Sequence, residues 1–303
     1  VTNGIMKKKS IVFFALFIAN LFVYAQRHEV GIQLGASNLV GDVGKTNYIN
    51  PFPYNFNDIA NSGIPFYASF MYRLNFNPYQ SVRFSLGYNH VQFNDKYAQE
   101  LYRVKRGYYG GNSMYEASIL FDYNFFPVNN EQKGLLSPYI FGGLSGIVFS
   151  SQQAVLYNDF MRNASGMAQA PTSSTDFNTT VSYTSKKNKF SMAIPFGVGL
   201  KYKFNYNWAI FGEFMFRPTF TDGIDYSNLD GSDVKLTYNK EIPASTGSTK
   251  SLLQTDPYLT EAQKRADNYK NSTAIGNINS KDWVNTLSLG ISYSFGRPPC
   301  YCD

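Results

Sequence analysis

Residues 192–222 read Met-Ala-Ile-Pro-Phe-Gly-Val-Gly-Leu-Lys-Tyr-Lys-Phe, then Asn-Tyr-Asn, then Trp-Ala-Ile-Phe-Gly-Glu-Phe-Met-Phe-Arg-Pro-Thr-Phe-Thr-Asp. In the first arm Met192, Ile194, Phe196, Val198, Leu200, Tyr202 and Phe204 fall on one side, with Ala193, Gly197, Gly199, Lys201 and Lys203 on the other. In the second arm Trp208, Ile210, Phe214 and Phe216 oppose Glu213, Arg217 and Thr219. A period of two is the signature of a β-strand, and a three-residue link between two such arms makes a hairpin. The apolar face is long and carries aromatic residues near both ends. That suits a strand crossing a membrane, with lipid on one face and a polar lumen on the other.

The same alternation recurs along the chain. Expected strands are Glu29–Val40, Pro65–Phe76, Ser81–Phe93, Met114–Phe126 and Pro138–Phe149, then the two arms above, then Asp282–Phe295. Asn77-Pro78-Tyr79-Gln80 reads as a tight turn. The faces of the fifth strand, with Gly142, Gly143 and Gly146, do not resolve from the pattern; glycine there relieves crowding in the wall. The links are read as long, short, long, medium, long, short, long, with Ser150–Asn188 and Gly223–Lys281 both taken as loops. Within the last, Asp256-Pro257 offers a helix start ahead of Tyr258–Asp267.

These segments predict an all-β fold: an eight-stranded antiparallel transmembrane β-barrel with short periplasmic turns and long extracellular loops. An even strand count returns both termini to the periplasm, and closure leaves no strand edge in lipid. A soluble sandwich or lipocalin-like barrel fits less well, because its outward faces are polar. Composition agrees: 17% of residues are aromatic and 16% charged, where a soluble domain averages about 25% charged. Mean hydropathy is nonetheless negative, as alternating strands require.

Met6, Lys7–Lys9, the apolar run Ile11–Leu21 and Val23-Tyr24-Ala25 read as a secretory signal cut after Ala25, with residues 1–5 lying upstream of it. A membrane anchor helix is the lesser alternative, since the run is short. The expected organisation is therefore 1–25 upstream residues and signal, 26–295 barrel, and 296–303 a periplasmic tail. The net charge of +6 includes the signal lysines and forms no basic block, so nucleic acid is a poor partner.

Eight strands leave room inside only for side chains. The inward set includes Glu29, Glu116, Asp122 and Glu213 against Arg73, Arg83, Lys201, Lys203 and Arg217. Opposite charges in a narrow lumen should pair. Glu213 and Arg217, four residues apart on one face, suggest one such pair. A salt-bridged plug is the favoured reading over an active site or ion path. His28 and His90 fall at opposite ends of the wall, and no nucleophile-elbow, zinc or phosphate-loop motif is present. The expectation is no enzyme activity, no cofactor, no metal and no small-molecule substrate.

The tail reads Gly296-Arg-Pro-Pro-Cys-Tyr-Cys-Asp303. The two prolines end the strand. Cys300 and Cys302 are the only cysteines. In an oxidising compartment they could bridge to another subunit, bridge each other under strain, or stay free. The first is favoured, with Tyr301 as an apolar anchor beside it.

Four pieces of the chain carry a family likeness: Gly35-Ala-Ser-Asn-Leu-Val-Gly-Asp-Val-Gly44, Ser137-Pro-Tyr-Ile-Phe-Gly-Gly143, Ile194–Tyr202, and Glu213–Arg217 running on to Thr219–Asp222. In these the chain resembles the PorG-like outer-membrane barrel subunit of the type IX (Por) secretion system of Bacteroidetes. The resemblance implies a non-enzymatic subunit in the outer membrane that attaches a periplasmic ring to it. The implied partners are outer-membrane lipid, the ring lipoprotein (PorK/GldK-like) and its ring partner (PorN/GldN-like), in an apparatus that serves gliding in some species. The tail cysteines would then bridge to the lipoprotein. A free-standing small barrel, acting as adhesin or membrane stabiliser, is the alternative.

Overall fold

The computed structural model describes residues 27–48, 62–129, 134–160, 177–229, 233–238, 241–243, 249–251, 257–277 and 280–296. The strands are β1 (Arg27–Val40), β2 (Phe66–Asn75), β3 (Gln80–Asn94), β4 (Tyr109–Asn124), β5 (Leu135–Phe160), β6 (Phe177–Ala193), β7 (Phe196–Lys203), β8 (Trp208–Pro218), β9 (Val234–Tyr238), β10 (Glu241–Pro243), β11 (Thr249–Ser251) and β12 (Trp283–Phe295). Among the described residues the helices α1 (Leu101–Arg106) and α2 (Pro257–Thr273) lie in the long connections, with a 3-10 turn at Asp95–Tyr97 ahead of α1. The helix begins at Pro257, as its fixed φ and missing N–H favour; the cap residue expected for it, Asp256, lies outside the described residues.

The chain folds as a ring of eight antiparallel strands. Each of β1 to β5 pairs with the next, β7 follows β5, β8 follows β7, and β12 returns to β1. Closure runs without a break from His28 opposite Phe295 to Val40 opposite Trp283. The turn at 76–79 is built by Asn77, whose Oδ1 accepts from Tyr79 N at 2.8 Å and Gln80 N at 2.7 Å.

Two expectations are corrected. The strand expected from Met192 onward is broken at Ile194-Pro195, because Pro195 has no N–H to give to a ladder. Its carbonyl still accepts from Gly143 N at 2.9 Å, so β6 and β7 share one place in the ring. Residues 150–188 are not simply a loop: β5 and β6 pair from Ser145 opposite Ala193 to Phe160 opposite Phe177, and beyond Phe149, the last β5 residue paired with β4, they run on together as a hairpin outside the ring. Polar Ser, Thr and Asn in that stretch hid the strands, because there neither face meets lipid. On the other edge of the projecting β5, β9 pairs in parallel, and Ala266 of α2 joins Ala154, Leu156 and Leu229 in a small core of its own.

The wall has the alternation that the sequence implied. Leu34, Leu86 and Leu289 point outward, 63%, 65% and 75% exposed, while Glu29, Arg83 and Thr286 are wholly buried. Lipid is the solvent that makes such an outward face stable. On β5 the inward set is Tyr139, Phe141, Ser145, Ile147 and Phe149. Gly143 permits the backbones of β4 and β5 to meet there, since a Cβ would lie 2.0 Å from the Ile119 carbonyl oxygen. Large rings and glycines alternate inside the ring: a Cβ on Gly199 would lie 2.3 Å from Tyr139, and one on Gly290 2.2 Å from Phe211.

Candidate functional site

The lumen is filled in two layers. In the half nearer the short turns, charges pair across the ring. Arg73 Nη1 donates to Glu29 at 2.8 Å and its Nε to Asp122 at 2.7 Å. Arg83 bridges Asp122 at 3.2 Å and Glu213. Glu213 also accepts from Tyr139 Oη at 2.5 Å and Gln33 Nε2 at 2.8 Å. Lys201 Nζ lies 2.6 Å from Glu29 and 3.2 Å from Asn129 Oδ1. The cluster is three acids against three bases, so it is neutral as a whole. Arg217 and Glu116 form a separate pair at 2.8 Å, with the Arg217 guanidinium 4.7 Å from the Tyr67 ring centre.

Glu213 and Arg217 do not pair with each other, contrary to the expectation above. Four residues along a strand span about 13 Å, whereas Arg83 and Glu116 reach them directly across the lumen. Lys203 lies apart, with its Nζ 5.9 Å from the Tyr206 ring centre. The barrel thus brings together Glu29, Arg73, Arg83, Asp122, Lys201 and Glu213, and keeps Glu116 with Arg217.

In the half nearer the long connections the filling is apolar. Leu39, Val43, Val91, Phe93, Met114, Ile147, Phe149, Ala193 and Val284 surround Ile224. Ile224 comes from the segment after β8, which dips into the mouth and is held at both sides. Val43 N donates to Asp225 at 2.8 Å, and Ile224 N to Asp282 at 2.8 Å. Tyr226 next to it adopts a left-handed backbone (φ 60°), a conformation that costs a non-glycine residue energy. Its ring packs edge-on to Phe93 at 5.7 Å.

Above this plug Asp42, Asp222, Asp225 and Asp282 are all buried. Asp225 and Asp282 converge on Gly41, where a Cβ would lie 2.4 Å from one carboxylate and 2.5 Å from the other. Burial and then the neighbouring acids raise all three carboxyls of Asp222, Asp225 and Asp282; Asp222 is pushed up to about 7. Asp95 is the opposite case. Burial opposes its charge, but the hydrogen bonds from Arg106, Gly44 N and Tyr108 N outweigh that and hold it below the usual carboxylate range. Among the described residues no group of three or more His, Cys, Asp or Glu side chains is placed to hold a metal ion.

His28 and His90 are at opposite ends of the ring. His28 sits at the short-turn end with Nδ1 2.7 Å from Tyr72 Oη, and His90 at the long-connection end beside Ser113 Oγ at 2.9 Å. Cys300, Tyr301 and Cys302 lie outside the described residues.

Residues 7–170 and 254–303 match the family model described as "Domain of unknown function (DUF6089)", well over half of the chain. The chain belongs to this family. All four family-like pieces noted in the sequence, or parts of them, fall in the barrel wall of this DUF6089 protein, and Asp42 and Asp222 from two of the pieces face each other at its mouth. No curated protein matches the chain. Among solved structures, this DUF6089 protein is similar to the N-terminal barrel domain of Pseudomonas aeruginosa OprF at 10% identity and a TM-score of 0.36, over 89% of this chain and 99% of that one. It is also similar to Yersinia pestis Ail, solved with the heparin analogue sucrose octasulfate, at 11% identity and a TM-score of 0.37, over 89% and 99%. Neisserial surface protein A gives 10% identity and a TM-score of 0.37, over 88% and 97%.

Sequence reading found the lumen charges because they interrupt an alternating pattern at inward positions. It missed Asp225, Asp282 and Ile224, which sit at or beyond strand ends where alternation says nothing.

Proposed function

We propose that this DUF6089 barrel is a non-enzymatic outer-membrane subunit of a type IX secretion apparatus, attaching the periplasmic ring lipoprotein and its partner to the membrane. The observation that carries this is the sealed lumen. Among the described residues paired charges fill one half and an apolar plug the other, a filling that makes a scaffold the economical role. In this reading the short turns and both termini face the periplasm, and the long connections face outward. The tail from Gly296 then emerges on the side where the ring lies. The sequence resemblance supplies the identity of the apparatus; the geometry supports only that the barrel is closed and lipid-embedded.

Affinity purification in mild detergent from the native host tests this. Ring lipoprotein and its partner should co-purify in constant ratio, and truncation before Gly296 should release them. Recovery of the barrel alone would favour the second reading, a free-standing adhesin. One observation speaks for that alternative: the β5–β6 hairpin, with β9 and α2 packed on it, projects beyond the ring as an ordered surface.

A further inference from the structure

We propose that the cleft between β6 and the chain leaving β8 binds the phosphate of an outer-leaflet glycolipid headgroup. The inference rests on the orientation given above, with the long connections outward.

The cleft exists because two neighbours in the ring part company. Ile194 N donates to Pro218 O at 3.0 Å and Phe220 N to Met192 O at 2.9 Å. Beyond that point β6 follows β5 out of the ring, whereas the chain after β8 turns inward to place Ile224 in the mouth. The separation leaves a cavity of 330 Å³ in the wall, lined among others by Lys189, Asp222, Asn228, Lys270 and Lys281. That volume is in the range of small-ligand sites.

Three lysines from three elements converge here: Lys189 on β6, Lys270 on α2 and Lys281 just before β12. Lys189 is already paired with Asp233, which also accepts from Ser151 Oγ at 3.1 Å. Lys281 faces the Asp222 carboxyl, whose charged form it favours, while burial and the neighbouring acids keep that carboxyl partly protonated near neutrality. Gathering ammonium groups at one cleft beside a partly protonated acid costs repulsion that a bound anion removes, and lysine serves as a point-charge binder of phosphate. Asp222 faces the same cleft. Its buried, acid-crowded carboxyl holds its proton to about pH 7, so near neutrality it opposes an anion less than an ordinary aspartate would.

The surroundings favour a lipid over free phosphate. Phe190 and Phe220 flank the opening, 69% and 60% exposed, and Met192 and Ile194 continue the apolar track down the wall. Phe196, Phe216 and Trp283 form an aromatic cluster at the top of the lipid-facing band. Phe220 is four residues beyond Phe216, which on a tilted strand puts it roughly 10 Å further out. That depth belongs to headgroups, with acyl chains below. A phosphate in the cleft would thus leave its chains lying against Phe190 and Met192.

The test uses the isolated full barrel, refolded in detergent, and bisphosphorylated lipid A as probe, with native mass spectrometry counting bound lipid. Wild type should retain the lipid at least tenfold better than the Lys270→Gln, Lys281→Gln double variant. It should prefer the probe to lipid A stripped of phosphate by a similar factor. Inorganic phosphate should compete only at concentrations a hundredfold or more above the lipid. Asp222→Asn should tighten binding at pH 8, where the wild-type carboxyl is ionised. The Lys270→Arg, Lys281→Arg variant keeps charge and should keep binding; it guards against loss through misfolding, which the heat-dependent gel shift of a closed barrel also reports. Equal retention by wild type and the glutamine variant, equal binding of phosphorylated and dephosphorylated lipid, or inorganic phosphate binding as tightly as lipid overturns the proposal. No ring subunit takes part, so the outcome is independent of the co-purification experiment.

Discussion

Lys201 Nζ lies 2.6 Å from Glu29 Oε2 although the two residues are 172 positions apart in the chain. The bond ties β7 to β1 across the lumen, and Glu29 shares its other oxygen with Arg73 at 2.8 Å. A carboxylate with two cations is not orphaned by the loss of one, and this ranks the consequences of substitutions in the wall.

Leu200→Arg and Lys201→Met probe adjacent positions on opposite faces. The first puts a guanidinium into lipid and should cost about 2–4 kcal/mol. The second leaves Glu29 its Arg73 contact and should cost less than the 3–5 kcal/mol typical of a fully orphaned buried charge. Refolding titrations into lipid vesicles give both values; equal losses would show that the two side chains do not face opposite sides.

Among the described residues Arg217 and Glu116 have only each other as charge partners within 4.0 Å. Their atoms are close but off the hydrogen-bonding axis, since Arg217 Nε and Glu116 Oε2 make no hydrogen bond. Arg217→Met should therefore strand Glu116 and cost about 3–5 kcal/mol. Adding Glu116→Gln should recover part of it, with a coupling of about 0.5–3 kcal/mol in a double-mutant cycle. Strict additivity in vesicle refolding would mean that the pair is electrostatically silent.

The barrel should show no porin-sized conductance. Ile224 and its nine buried apolar neighbours block one half of the lumen, and the charge cluster fills the other. Planar-bilayer recording checks this, and stable large steps would contradict a sealed interior. Deletion of residues 223–226 should leave conduction absent too, because the charge layer remains.

The mouth should loosen as pH rises. Asp222, Asp225 and Asp282 have folded-state pKa values above the unfolded one, so the folded mouth is favoured at acid pH, and the Asp222 share of that stability is lost as pH climbs from about 4 through about 7. Asp95 has the opposite sign: its bonds to Arg106 are present above the unfolded pKa and are lost as pH falls through the depressed value. Hydrogen exchange should show the Asp222–Ser227 segment as a whole better protected at pH 5 than at pH 8, as Asp222 ionises. The amides of Gly44 and Tyr108 should weaken only in strong acid. Uniform protection of the Asp222–Ser227 segment from pH 5 to 8 would rule out a titrating Asp222 as the source of the loosening.

The tail makes a chemical prediction. Membranes treated with a thiol blocker and run without reductant should show a shifted barrel band that collapses on reduction and vanishes in the Cys300→Ser, Cys302→Ser variant. A band only at monomer size would rule out a covalent link to a partner.

The sequence by itself determined the wall. Burial in a membrane strand alternates residue by residue, so the outward Leu34, Leu86 and Leu200 and the inward Glu29, Arg83 and Lys201 were each assigned from their immediate neighbours. It also determined that the inward charges must pair. Which charge meets which was decided only by closure of the ring, because partners such as Lys201 and Glu29, or Arg83 and Glu213, are set by strand register and lumen diameter, not by spacing along the chain. The same holds where alternation ends. The break at Pro195, the continuation of β5 and β6 outside lipid, the plug made by Ile224 and the gathering of Asp42, Asp222, Asp225 and Asp282 all depend on segments far apart in sequence meeting at one end of the barrel. There the local pattern carries no periodic signal, and packing alone determines the partners.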